Sequence, residues 1–396
     1  MTDFDKHIER RGTCSMKYDS ASAMKKPEGL LPLWVADMDF QVPACVTKAL
    51  KERADHAVYG YSFPGDSYYE AVTNWFESRF DYKIDRKWIV TTPGVVFALC
   101  QAVNAFTRPG DAVLVTKPVY YPFMSAIENN GRRVVNSPLV NEDGYYTIDF
   151  GDFEQKIIGN DVKMFILCSP HNPVGRVWKE EELDNAAQIC AKHGVFVVSD
   201  EIHCDFVWGN GRHVPFAKAA EKTDGLHYII CTAPSKTFNL AGLQCSNIIV
   251  PDDEDRRKYR RTISANGVFD PNIMGLTACQ AAYAGGAEWL GELRSHIWKN
   301  IEFADSFIND KIPGVKMRKP EGTYLIWLDM RGLGLSAGEL DDFITDKAGL
   351  WLDGGSMFGE EGDGFQRINT ACQTETLRQA LTQLKNAAET LTGGSK

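Results

Sequence analysis

The chain has 396 residues, 44% hydrophobic and 24% charged, with a formal net charge of −10. That is ordinary globular composition, with room for a large domain and a smaller one. No basic tract is present, which excludes the clustered positive surface that nucleic acid or an anionic membrane requires. No run approaches the roughly 18 apolar residues of a spanning helix, and MTDFDKHIERRGTCSMKYD at the start lacks a signal peptide's apolar stretch.

In chain order, TTPGVVFALCQAVNAF (91–106) reads as an apolar helix opening at Gly94, Val95 and Val96. The free backbone N–H groups of such a start suit either a plain capped helix or an anion site. DAVLVT (111–116) reads as a buried strand. Tyr120 and Tyr121 follow it in KPVYYPF, placed either to stack on a ligand ring or to pack beneath the sheet. RRVVNS (132–137) and VKMFILCS (162–169) are further strands, the second leading to Asn172 in SPHNPVG. KEEELDNAAQICAKHG has helical spacing, acids at its start, and Lys192 and His193 before Gly194. VFVVSD (195–200) ends on Asp200. HYIICT (227–232) runs into APSKT, with Ser235 and Lys236, and NIIVP (247–251) follows.

Strands separated by helices in this way predict an α/β fold, a mostly parallel sheet with helices on both faces. The last hundred residues differ. VKMRKPEGTYLIWLDMR predicts a turn and a strand, while AGELDDFITDKAG and ETLRQALTQLKNAAETL predict amphipathic helices. Between them, FQRINTAC places Arg367 in a neutral apolar stretch, as a fork for a carboxylate or as half of a structural ion pair. The expected division is a large domain over 45–285 and a small α+β domain from 1–44 and 286–396. The ten cysteines form no CxxC pair and no zinc spacing, so no metal site is expected, and reduced thiols suit a cytoplasmic protein.

Open α/β sheets bind ligands past the carboxyl ends of their strands. There the sequence puts an amide, Asn172, a carboxylate, Asp200, and an amine, Lys236. Lysine is uncommon where a buried strand ends, because its charge must find water or a partner. In the order Asn, Asp, Lys the three suit pyridoxal 5'-phosphate (PLP). That cofactor needs an amine for its aldehyde, a carboxylate against its pyridine nitrogen and a donor to its phenolic oxygen. The helix start at Gly94, with Ser235, would then hold the phosphate.

These residues resemble the fold-type I PLP enzymes, the aspartate-aminotransferase-like superfamily, from WVADMDF (34–40) through RINTAC (367–372). PLWVADMDF, YGY, TPGVV, PVYYPF, SPHNPVGRVW, DEIHCDFVW and APSKTFNLAGL look most like its MalY/PatB branch of C–S lyases, often called cystathionine β-lyases. The resemblance implies Lys236 as the Schiff-base lysine, Asp200 as the pyridinium partner and Asn172 as the amide at the phenolic oxygen. It implies Tyr120 as the stacking ring and Tyr121 as a catalytic residue toward the substrate. Arg367 would grip the α-carboxylate. Gly94, Val95, Val96 and Ser235 would bind the phosphate, and His203 would support the ring from behind. Tyr61, in VYGYSFPG, would reach cofactor and substrate in a neighbouring subunit, implying a homodimer with shared sites. The chain departs from the mainstream aminotransferase pattern at His203, Gln244 and Ala233, where tyrosine, arginine and serine are usual. The implied activity is β-elimination on L-cystathionine, L-cysteine or cysteine S-conjugates, giving thiol, pyruvate and ammonia. The alternatives are an aminotransferase, or a PLP-fold regulatory or partner-binding protein.

Overall fold

Seven short apolar segments form the large sheet of the computed structural model, which describes residues 2–393. They are β1 (Ile89–Thr92), β2 (Ala112–Val115), β3 (Arg133–Asn136), β4 (Val162–Cys168), β5 (Phe196–Asp200), β6 (Tyr228–Thr232) and β7 (Ser246–Ile249). Their order across the sheet is β1-β7-β6-β5-β4-β2-β3. β3, β2, β4, β5 and β6 run parallel, whereas β7 is antiparallel to both its neighbours. Two features differ from the sequence expectation. β1 forms an additional edge strand, and NIIVP turns against the parallel set. A buried apolar run carries no record of its direction, which the preceding loop decides.

Both faces of the sheet are covered, as parallel strands require. Val113, Val115, Met164, Ile166, Val198 and Ile229 belong to one apolar core, and their neighbours Ala112, Leu114, Phe165, Leu167, Val197 and Ile230 to the other. This is the period-two alternation of a pleated strand read on two wetless faces.

The main helices are α1 (Ala44–His56), α2 (Asp66–Phe80), α3 (Val95–Phe106), α4 (Glu180–Lys192), α5 (Ile273–Gly285), α6 (Ala287–Lys311) and α7 (Thr374–Gly393). α4 buries Leu183, Ala186, Ala187 and Cys190, one face at helical spacing, and opens on three glutamates that complement its dipole. α1 and α2 pack on α5.

A second sheet lies late in the chain. β8 (Lys316–Met317), β9 (Leu325–Asp329), β10 (Asp353–Gly354) and β11 (Phe365–Asn369) are ordered β8-β9-β11-β10, all antiparallel. The stretch read as a turn and a strand thus holds two strands. The helix expected over 337–349 is α-helical only to Asp342, then widens into a π turn over Phe343–Lys347. Met1 and residues 394–396, at the ends of the expected small domain, lie outside the described residues.

The N-terminal segment is strapped to this second sheet. Leu31–Pro32 pairs in parallel with Leu350–Trp351, and the rings of Trp34 and Trp351 stack at 4.6 Å. Asn369 Nδ2 donates to the carbonyls of Val35 at 2.6 Å and Asp37 at 2.5 Å. Lys17, fully buried, donates to Asp39 at 2.7 Å, and Arg10 bridges Asp39 and Asp37 at 2.7 and 2.6 Å. This cluster fixes the strap that carries Ala36 to the sheet's carboxyl edge.

Candidate active site

Register aligns the strand ends. Cys168 of β4 faces Asp200 of β5, which faces Cys231 of β6. Asn172, Asp200 and Lys236 therefore leave three adjacent parallel strands at one level, and all three line a single cavity of about 260 Å³. Asp200 is buried, and its Oδ1 accepts the Ile202 N–H at 3.2 Å. Burial pushes its carboxyl up to about 7, against the pull of the Ile202 N–H and Lys236. Lys236 sits in the single turn Pro234–Thr237 and donates from Nζ to the Ala36 carbonyl at 2.7 Å. Burial brings this amine down to about 8; Asp37 and Asp200 oppose the shift and Arg367 adds to it.

Tyr120, Ser235 and His203 line the same cavity, as do Gly94, Val95 and Val96. His203 is buried edge-on to Tyr324, with Nδ1 unpartnered among the described residues. Burial, with Lys236 and Arg367 nearby, holds its ring far below the ordinary histidine range, hence neutral. Tyr121 and Arg367 adjoin the lining residues Tyr120 and Asn172. The Tyr121 ring lies 5.5 Å from Tyr120 and 5.7 Å from Phe358. Arg367 Nη1 donates to Asn172 Oδ1 at 2.9 Å. That bond fixes the amide's orientation and leaves the Asn172 NH₂ free to serve the cavity as a donor. Tyr61 is elsewhere: it is fully exposed, as is most of Phe63 beside it.

One end of the cavity is lined by the turn from Pro93 to Phe97. Gly94 takes φ +129°, a conformation L side chains rarely adopt. Its N–H donates to Ser246 Oγ at 3.1 Å, and Ser246 also bonds Thr92 Oγ1 at 2.6 Å. α3 has no side-chain cap, and its first intrahelical bond is Ala98 N–H to the Gly94 carbonyl. The Val95, Val96 and Phe97 N–H groups thus precede the helical ladder beside Ser235 and the uncharged Gln244.

Several contributors had no sequence signal. Ala36 acts through its carbonyl, which also accepts the Tyr324 hydroxyl at 2.9 Å. Thr237, next to the lysine, is tied to buried Asp205 at 2.8 Å, which Arg79 also bonds at 2.6 Å. Asp353 of β10 faces Arg367 of β11 and pairs with its guanidinium. The walls fit a planar phosphorylated pyridine aldehyde. They offer an amine held only by a carbonyl, a carboxylate, an amide donor, an aromatic platform and unladdered N–H groups.

Residues 28–384 match the aminotransferase class I and II family. The chain belongs to that family. It is 45% identical over 385 residues to cystathionine beta-lyase PatB of Bacillus subtilis, spanning 97% of this chain and 99% of that protein. The crystal structure of cystalysin from Treponema denticola, which contains a pyridoxal 5'-phosphate cofactor, matches with a TM-score of 0.94. That match has 37% identity and covers 99% of this chain and 100% of cystalysin. A PLP-bound C–S lyase from Staphylococcus hominis matches at a TM-score of 0.90 and 34% identity, covering 98% of each chain. The aminotransferase family's fold type I architecture is therefore the one adopted here, with the Lys236 cavity at the sheet's carboxyl edge.

Proposed function

We propose that this chain is a PLP-dependent carbon–sulfur lyase of the cystathionine β-lyase type, cleaving L-cystathionine, L-cysteine or cysteine S-conjugates to thiol, pyruvate and ammonia. The observation that carries the reading is the convergence of Lys236, Asp200 and Asn172 on one cavity, in a chain 45% identical to a cystathionine beta-lyase. When bound, the cofactor supplies an electron-withdrawing ring that stabilises negative charge at the substrate's Cα and lets the β-sulfur leave.

The residues divide the remaining work. Asp200, buried in the cavity, would set a carboxylate against the pyridine nitrogen and keep that nitrogen protonated. Asn172, turned by Arg367, donates its NH₂ to the ring oxygen. At the Gly94 turn, Val95 and Val96 would offer backbone N–H groups to the phosphate, with the Ser235 hydroxyl beside them, while the Gly94 N–H stays bonded to Ser246. Tyr120 would give the ring a face to lie on, and neutral His203 would support the ring from behind without adding charge. Lys236 would hold the cofactor through its aldehyde. Released, its amine, tuned to about 8, is suited to take the Cα proton near neutral pH. Arg367 would hold the substrate's α-carboxylate, and Tyr121 would lie toward the substrate.

Transamination begins with the same proton removal and differs only in where Lys236 returns the proton. Membership of an aminotransferase family keeps it as the second reading. The assembly we infer is a homodimer in which Tyr61 reaches the neighbouring site, a use that suits a fully exposed tyrosine beside exposed Phe63. The domain division we infer is 45–285 against 1–44 with 286–396. A cytoplasmic setting suits the ten unpaired cysteines.

The test is holoenzyme with L-cystathionine and no keto acid. Thiol and pyruvate should appear in equal amounts, and Lys236→Ala should abolish both. Turnover that requires an added keto acid would replace this reading with transamination.

A further inference from the structure

Arg367 is buried, and its donors are largely committed. Nη1 donates to Asn172 Oδ1 at 2.9 Å, and Nη2 to the Trp34 carbonyl at 3.0 Å. Nη2 also bonds Asp353 Oδ2, in an ion pair whose two side chains are each 3% exposed. Nε is buried with no partner among the described residues. A carboxylate grips arginine best through two parallel N–H bonds. Nη2 belongs to both edges of the fork that can make such a pair, with Nε on one and with Nη1 on the other. While Nη2 serves both Trp34 and Asp353, neither edge is open.

The two acceptors differ in what can yield. The Trp34 carbonyl belongs to the strap, which Asn369 fastens at Val35 and Asp37 and the Trp34–Trp351 stack holds in place. Asp353 is a side chain with torsions of its own, and it carries the same charge as an arriving carboxylate. Burial already disfavours its ionised form, and Arg367 is what offsets that cost. Two carboxylates sharing one guanidinium in a dry site repel each other. The pair adjoins the Lys236 cavity through Arg367, which bonds the lining residue Asn172, and Asp353 lies close enough to act electrostatically on Tyr120, another lining residue.

We infer that Asp353 is a specificity-determining residue: it occupies Arg367 in the resting site, and a substrate's α-carboxylate binds by displacing it. This rests on the reading of Arg367 as the α-carboxylate's partner. The consequence is one displacement cost set on every carboxylate alike, which a ligand with a second anchor overcomes and a ligand without one does not. An amino acid brings an amine to the Lys236 end as well as a carboxylate to Arg367, and so overcomes the competition. A plain carboxylic or keto acid has only the carboxylate, and is held weakly. A lyase that releases a keto acid gains from this, because its product leaves and does not return.

The experiment uses holoenzyme and propionate, a carboxylate with no amine, as a competitive inhibitor. Asp353→Asn should tighten propionate inhibition about tenfold and lower KM for L-cystathionine in the same direction, with kcat changed less, while uncharged propionamide is unaffected. Propionate inhibition and KM that stay unchanged or weaken overturn the proposal. Arg367→Gln separates the two claims. If it leaves propionate inhibition intact, the assignment of Arg367 falls and the proposal with it. If it abolishes inhibition while Asp353→Asn brings no tightening, only the proposal falls. Should the Asp353 variant not fold, a crystal structure of wild-type holoenzyme with propionate decides the matter. The bound carboxylate should sit on Arg367 with Asp353 swung away, and an Asp353 still bonded to Nη2 overturns the inference.

Discussion

Asp200 and Lys236 line one cavity with pKa values moved toward each other by the same cause, removal from water. Asp200 keeps its proton to about pH 7 in the folded chain, against 3.8 as the ordinary value. The fold therefore binds the extra proton between those limits, and stability falls as pH rises through that window. Lys236 sheds its proton near 8 when folded and near 10.5 otherwise, so stability climbs between those two values. In the cofactor-free protein, Asp200→Asn should abolish the fall in Tm between about pH 4 and 7 and leave the rise above pH 8. The same variant, loaded with cofactor, should lose at least about a hundredfold in kcat, since an amide cannot hold the ring nitrogen's charge. Tm measured across pH in both proteins checks the first claim. An identical acid-side slope in the variant would show that Asp200 is already ionised there.

At the scale of elements, the site depends on how strands hand over to loops. β1 passes through Thr92, Pro93 and Gly94 into α3, and β7 pins that turn through Ser246. No atom lies within 4 Å of where a Gly94 Cβ would stand, so any side chain there is opposed by backbone strain alone. Gly94→Ala should cost about 1–3 kcal/mol of stability and turn the Val95 and Val96 N–H groups off their common focus. Cofactor affinity should drop by roughly tenfold or more, since bonds to a charged acceptor are each worth about 1.5–3 kcal/mol. Titration of cofactor-free protein with PLP, followed by absorbance, measures this. Unchanged affinity would move the phosphate site away from α3. β10 and β11 do comparable work for Arg367, because antiparallel register puts Asp353 directly opposite it.

Across the whole molecule, the cavity is closed by segments from distant parts of the chain. The strap brings Ala36, β11 sets Arg367 against Asn172, and the strand ends and loops of the large sheet bring the rest. The described chain leaves Tyr61 and Phe63 in solvent, where aromatic rings are costly unless covered. If Tyr61 completes a partner's site, two inactive variants should rescue each other. Mixed dimers of Lys236→Ala and Tyr61→Ala, unfolded and refolded together, contain a site with an intact lysine and an intact tyrosine. Such a mixture should recover about a quarter of wild-type activity, the share of such sites under random pairing. No recovery, with dimers formed, would confine the site to one subunit.

By itself the sequence determined six of the large sheet's seven strands and the three polar residues that follow its central ones into the cavity. VKMFILC, VFVVSD and YIICT are unbroken apolar runs, legible because strands buried on both faces need no alternation. Asn172, Asp200 and Lys236 stood out as a set: an Asn-Pro turn or a strand-end aspartate is common alone, but an amide, a carboxylate and an amine past three buried runs suit one cofactor. Tertiary structure alone decided the direction of β7, the strap held by Lys17 and Asp39, and the pairing of Arg367 with Asp353. It also chose Ala36, 200 residues from Lys236, as the amine's acceptor. Those contacts join groups far apart in the chain, and a carbonyl has the same appearance at every position in a sequence. Only the folded path selects which one meets the lysine.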